Sequence, residues 1–257
     1  MDLVEATHVF SGEGTRHPWE TARLDVARKL IARHVTLSPG AVVIDIGCGD
    51  AFITASLAAE FPATRFYGVD AGFTNEWFSG APPHPNLTLL RSLDEVPRDS
   101  RVASLILLMD VIEHIEDDGT FLNQLRERPF VDRQTRILVT VPAYQWLSTA
   151  HDVFLRHYRR YSNRTLRMRL ERSGFQIDDI GYFFFTLLPV RLLQWGRERV
   201  FGRQALTATG LADRWDGPGS SLLKHALLID ARIGFALRRI GIPVPGLSNF
   251  AVCRKSA

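Results

Sequence analysis

Residues 42–51 read V-V-I-D-I-G-C-G-D-A, and few short stretches restrict a fold more. An apolar, β-branched run interrupted by one acid suits a strand covered on both faces. Gly47 and Gly49 follow at once, and glycines there let the backbone approach a ligand with no Cβ in the way. From Ala51 the pattern is helical, and Pro62 stops it. A buried strand that turns through glycines into a helix is the opening unit of a doubly wound α/β sheet. Such sheets bind ligands beyond the carboxyl ends of their strands, where the strand order reverses.

The rest of the chain keeps that rhythm. Apolar segments at 65–70, 86–91, 102–109, 135–141 and 175–184 read as strands, and 246–255 closes as another. Helical spacing marks 19–34, 51–60 and 117–127, and Ser162 reads as the N-cap of a helix through Arg172. Alternation of this kind implies parallel strands, right-handed crossovers and helices on both faces. Residues 186–246 break the pattern with two predicted helices, 189–201 and 221–240, around a Gly-Pro-Gly-Ser turn.

Composition sets outer limits. With 257 residues, 46% hydrophobic and 23% charged, the chain suits one elaborated domain or two small ones. Its net charge of +3 is carried almost entirely by Arg, with Lys only at 29, 224 and 255, and alone does not argue for nucleic acid. Two cysteines make no disulfide framework. The first residues lack the basic and apolar regions of a signal peptide. The most apolar stretch, 182–195, is too short to span a bilayer and contains Pro189 and Arg191. A cytoplasmic protein is expected, with contact at the inner face of the membrane left open.

Asp70 ends the second strand, where an acid can accept hydrogen bonds from both hydroxyls of a ribose. A nicotinamide enzyme also uses such an acid, but it needs G-x-G-x-x-G to seat a pyrophosphate. Here Gly49 is followed by Asp50, Ala51 and Phe52, and Asp45 and Asp50 bracket the loop with negative charge. A ligand with a cationic centre and an amino-acid end fits better, which favours S-adenosylmethionine over a dinucleotide.

V-I-D-I-G-C-G-D-A, with Asp70, resembles motif I and the ribose acid of the class I S-adenosylmethionine-dependent methyltransferases. L-M-D-V-I-E-H-I, 108–115, is similar to the motif after their fourth strand. The resemblance covers roughly 17–184 and the final strand. It implies a Rossmann-like α/β fold with a seven-stranded sheet whose last strand is antiparallel. The chain then divides into an N-terminal helical cover (1–40), a core (41–185), a helical insertion (186–246) and the final core strand (247–257). Carried over residue by residue, Gly47 and Gly49 meet the methionine end of S-adenosylmethionine and Asp70 the ribose. Leu93 falls near the adenine, and Asp110 lines the methionine end; Asp45 and Ala71 complete the cofactor set. The segment 149–162, T-A-H-D-V-F-L-R-H-Y-R-R-Y-S, together with the final G-L-S-N-F-A-V-C-R-K, is similar to a bacterial subgroup. Several of its members lie near genes for cell-surface glycans or lipids.

Candidate catalytic residues follow. His114, after a buried strand, reads equally as a base or as a structural residue. His151 is the first candidate for acceptor deprotonation, with Asp152 orienting a partner. His151, Asp152 and His157 share no helix face, so a metal is not expected. Seven Arg against two acids in 151–172, with Tyr158, Arg159 and Arg160 beside His157, suggest an anionic acceptor. Tyr144 is placed with these residues as substrate-binding. The expected reaction is methyl transfer, most readily to oxygen, on a small or lipid-linked acceptor. A soluble metabolite, or a cofactor-binding module without catalysis, are the alternatives. Nucleic acid is not expected. The apolar insertion reads as core, lid, acceptor channel, homodimer interface or peripheral membrane contact.

Overall fold

A computed structural model describes residues 18–75, 84–97, 102–201 and 218–256. The expectations for the segment before residue 18, for Arg203 and for Gly217 lie outside the described residues.

Seven strands form one sheet: β1 (Val42–Ile46), β2 (Arg65–Val69), β3 (Leu87–Leu90), β4 (Leu105–Met109), β5 (Arg136–Pro142), β6 (Phe175–Phe183) and β7 (Ser248–Lys255). Their order is β3-β2-β1-β4-β5-β7-β6. Strands β1 to β5 pair in parallel, and β7 lies antiparallel between β5 and β6. The chain leaves β1 toward one edge and returns through β4 toward the other. The carboxyl ends of β1 and β4 are therefore the switch point at which such sheets bind ligands.

Helices cover both faces. One face buries Ile44, Ile106, Val139 and Ala251 under α3 (Asp118–Arg126) and α5 (Asn163–Arg172), through Leu122, Leu125, Leu166 and Leu170. The other buries Val43, Phe66, Leu107 and Phe250 under α1 (Pro18–His34), α2 (Phe52–Glu60) and α7 (Pro218–Arg239). Strand alternation divides the residues cleanly: Ile44 faces one layer and Val43 the other.

The insertion is not a separate unit. Leu227 and Ala231 of α7 sit in the same core as Ala22, Val26 and Leu30 of α1. Asp179 on β6 holds this layer by pairing with His34 (2.9 Å) and with Arg238. Asp230 on α7 accepts hydrogen bonds from the Phe185 N–H and the Thr186 hydroxyl, both at 3.2 Å, which fixes the exit from β6. The predicted Gly-Pro-Gly-Ser turn is corrected here, because α7 already begins at Pro218, where a fixed φ and a missing N–H suit a first helical turn. The first helix of the insertion, α6 (Leu188–Phe201), leaves Val190, Leu193 and Val200 exposed. Among the described residues, no helix is long and apolar enough to cross a membrane.

Candidate active site

One half of the candidate site is built from the loop after β1 and the turn after β2. Gly47 has φ +69°, and a Cβ on it would lie 2.7 Å from a Val111 methyl. Both facts require glycine at this position. Gly49 donates its N–H to Asp70 Oδ2 (2.9 Å), and Gly72 donates to Oδ1 (2.8 Å). Each Asp70 oxygen keeps a lone pair for a hydroxyl, so the fixed carboxylate can still receive a diol. Ala71 is exposed in the turn beside it. Leu93 lies in a short 3-10 turn after β3, half buried against the core. Asp45 stays beneath the loop. It is 2% exposed, accepts from the Thr54 hydroxyl through one oxygen, and leaves the other buried without a partner. Burial lifts its pKa to about 6, against the lowering effect of the Thr54 bond.

Asp110 follows β4 with φ +58°. It accepts from the Thr140 hydroxyl (3.1 Å) and pairs with Arg23 of α1 (2.6 Å). Arg23 Nε is buried without a hydrogen-bond partner. A carboxylate and an unsatisfied guanidinium nitrogen together suit the ammonium and carboxylate of an amino-acid end, so the residues fit S-adenosylmethionine. Ala51, Asp110 and Tyr144 all have φ near +60° without being glycine. Such positions cost free energy and gather at ligand sites; these three lie just past the carboxyl ends of β1, β4 and β5.

Past the carboxyl end of β4, His114 and His157 come together. His114 ends the 3-10 turn Ile112–His114 after β4. His157 is brought beside it because Tyr158 donates its N–H to the Glu113 carbonyl (2.9 Å) and Tyr161 donates to Pro142 (2.9 Å). The two imidazoles meet edge to face, with centroids 4.6 Å apart. His157 Nδ1 lies 3.0 Å from Asp152 Oδ1. Asp152 also receives Arg160 (2.6 Å), Arg191 (2.8 Å) and the Thr149 N–H (2.8 Å). Burial alone would raise its pKa, but His157 and Arg160 hold it well below the usual carboxylate range.

The imidazole that meets Asp152 is that of His157. His151 is half buried on α4 (Ala150–Phe154), its ring stacked near Phe154. Burial, followed by the charge of Arg191, lowers its imidazole to about 4. Arg159 pairs with the buried Asp118 (2.6 Å), and Arg160 with Asp152. Both guanidiniums expected to grip an anionic acceptor are committed to internal carboxylates. Tyr158 is 54% exposed, whereas Tyr144 stacks on Tyr182 with centroids 5.1 Å apart.

Sequence reasoning missed Arg23, Glu113 and Arg191. Arg23 and Arg191 sit on helices far along the chain from their partners, and nothing local marks them. Glu113 carried a signal, an acid next to His114 directly after a buried strand. It is fully buried, and neither carboxyl oxygen has a hydrogen-bond partner. Burial, then the charge of Asp110, pushes its pKa well above the ordinary value. Glu113, His114 and His157 each place one ligand atom within 4.8 Å of the others.

Comparisons with known proteins agree with this geometry. A family model described as a methyltransferase domain matches residues 19–180. No curated protein matches the chain. Solved structures with a similar fold include coclaurine N-methyltransferase bound to N-methylheliamine and SAH. It is 13% identical with a TM-score of 0.55, over 96% of this chain and 74% of that one. Phosphoethanolamine N-methyltransferase 2 of Haemonchus contortus is 17% identical with a TM-score of 0.54, over 99% of this chain and 57% of its own. The cyclase SpnF is 15% identical with a TM-score of 0.54, over 97% and 87%. Likeness at this level is likeness of fold, and a fold hosts many reactions. The family match says more, because it runs through both the glycine loop and the D-V-I-E-H turn. On that ground the chain belongs to the methyltransferase-domain family, with a class I fold and S-adenosylmethionine as its cofactor.

Proposed function

We propose that the chain transfers a methyl group from S-adenosylmethionine to an oxygen atom of a small or lipid-linked acceptor. The observation that carries this reading is the polar cluster of Glu113, His114 and His157 beside Asp110, with His157 held by Asp152. When bound, S-adenosylmethionine supplies a methyl group on a sulfonium, which is already a good electrophile. The chain's residues have to hold donor and acceptor in line and keep water away. A hydroxyl acceptor must also lose a proton, and a preoriented group set at the acceptor side answers that need.

The apolar surroundings support an acceptor with a hydrophobic part. Tyr144 stacks on Tyr182, and Trp146 packs edge-on against Trp195 of α6 at 5.7 Å. Trp146, Val153, Phe154, Val190 and Leu193 remain exposed around them. Such a surface suits work at a membrane face. The anionic acceptor expected from sequence is not carried forward, since Arg159 and Arg160 are already paired.

Incubation with methyl-labelled cofactor and a cell extract, followed by phase separation, tests the reading. Label in the organic phase, absent with Asp70→Ala, is the expected result. Label confined to the aqueous phase would turn the acceptor into a soluble metabolite. No label in either phase would leave a cofactor-binding module.

A further inference from the structure

Methyl transfer as described leaves Glu113 without a partner. It is fully buried with both carboxyl oxygens unsatisfied. A carboxylate there is costly unless it takes up a proton or meets a cation. The nearby guanidiniums are held elsewhere: Arg23 pairs with Asp110, and Arg160 and Arg191 pair with Asp152. His114 and His157 complete the surroundings, with one ligand atom from each of the three residues within 4.8 Å of the others. Ligands about a common ion at about 2.1 Å sit roughly 3 Å apart, a spacing that small side-chain rotations here can reach.

His157 is also set up as a ligand. Its Nδ1 faces Asp152 Oδ1 at 3.0 Å, and an N–H donated there leaves Nε2 with its lone pair. A carboxylate behind an imidazole is how metal-binding histidines are oriented and made more basic. Asp152 in turn is locked by two arginines and the Thr149 N–H, so the support is rigid. Two imidazoles and one carboxylate leave coordination positions open and suit a first-row divalent ion.

We propose that Glu113, His114 and His157 bind a divalent first-row transition cation, whose open positions take paired oxygens of the acceptor, as in a vicinal diol, a catechol or a hydroxy acid. The cation neutralises the buried carboxylate and lowers the pKa of a hydroxyl bound to it, whose proton passes to solvent. The part concerning the acceptor rests on methyl transfer to oxygen; the cation site stands without it.

The chain, stripped with a chelator, is titrated with Mn²⁺ by electron paramagnetic resonance and with Co²⁺ by visible absorption, which reports the ligands directly. Saturable binding of one ion per chain is expected, weakened at least about tenfold by Glu113→Gln and by His157→Gln. Glu113→Gln keeps the side chain's shape and removes the buried carboxyl, and calorimetric cofactor binding checks that each variant is folded. No saturable binding to the unaltered chain overturns the site, even where methyl transfer is found. Unchanged affinity in both variants overturns it as well. Ion binding that is lost in the variants, in a chain that transfers no methyl group, upholds the site and sinks the reading of the reaction instead.

Discussion

Asp152 and His157 stand five residues apart, yet their side chains meet at 3.0 Å and the His157 N–H donates to the Asp152 carbonyl at 2.8 Å. An α-helix does not bring positions i and i+5 together. Helix α4 stops at Phe154, and Arg156, at φ +57°, turns the chain back on itself. Asp152 then collects His157, Arg160 and Arg191 in a buried cluster. Removing its charge strands two buried guanidiniums. Asp152→Asn is expected to destabilise the fold by about 3 kcal/mol or more, as breaking buried pairs does. The carboxyl is held well below its ordinary pKa, so its contribution is present above about pH 4 and is lost only as the pH falls toward the folded value. Urea melts should therefore give the same loss at about pH 6 and pH 8. A loss under about 1 kcal/mol would mean that water already reaches the cluster.

Asp45 behaves in the opposite sense. Burial raises its pKa from 3.8 to about 6, so the folded state holds the proton more tightly than the unfolded chain. Ionising it costs the fold stability, a penalty that grows as the pH rises from about 4 to 6 and is complete above that. Asp45→Asn, which can keep the bond from Thr54, should stabilise the fold at about pH 8 by roughly 1–3 kcal/mol, with little gain at about pH 3.5. It should also weaken cofactor binding. An equal gain at both pH values would show that the charge is not the cause.

Gly47 and Val111 give a coupled test. Gly47→Ala places a Cβ 2.7 Å from a Val111 methyl and strains a φ of +69°. About 1–2 kcal/mol of left-handed strain adds to the clash, so cofactor affinity should fall about tenfold. Val111→Ala should restore part of that loss, because it removes the clash and leaves the strain. Calorimetric dissociation constants for the four proteins decide it; strictly additive effects would show that the two side chains do not interact.

The parts legible in sequence are those set by neighbours along the chain. The apolar run 42–46, the glycines after it and Asp70 fixed the first βα unit because strand, turn and cap are local events. The antiparallel entry of β7 between β5 and β6 was legible only through resemblance, since F-A-V-C reads as an apolar strand in either direction. The Arg23–Asp110 and Arg191–Asp152 pairs join elements far apart in sequence, and no periodicity announces them. The arginines of 151–172 were visible, but their partners were not. The buried Asp118 draws in Arg159, Arg169 and the Tyr161 hydroxyl, which gives two of the arginines an internal carboxylate as partner.

Helix α6 offers a test of the acceptor's apolar part. Leu193 is 72% exposed and shares a helix face with the exposed Val190 and Val200, three residues before it and seven after it. Leu193→Glu places a charge on that face without touching the cofactor loop. It should cut labelling of an organic-phase product, or flotation with anionic vesicles, severalfold while cofactor affinity stays unchanged. Undiminished labelling and flotation would leave this face without a part in reaching the acceptor.

His151 supplies the last test. Burial and the charge of Arg191 lower its imidazole to about 4, so it is neutral throughout the physiological range. Neutrality permits a base, but one so weak has little driving force to take a proton from a hydroxyl near neutral pH. His157, backed by Asp152 and set against Glu113 and His114, holds the proposed cation that acidifies the hydroxyl, so the proton passes to solvent and no imidazole base is needed. His151→Asn should lower kcat by less than about tenfold and leave its pH profile unmoved, whereas His157→Asn should lower it by about a hundredfold or more. Both rates are measured on the labelled product of the phase-separation experiment, with cofactor binding as the check on folding. The reverse ranking would return the proton to His151 and reduce the Asp152–His157 pair to a brace for the loop after β5.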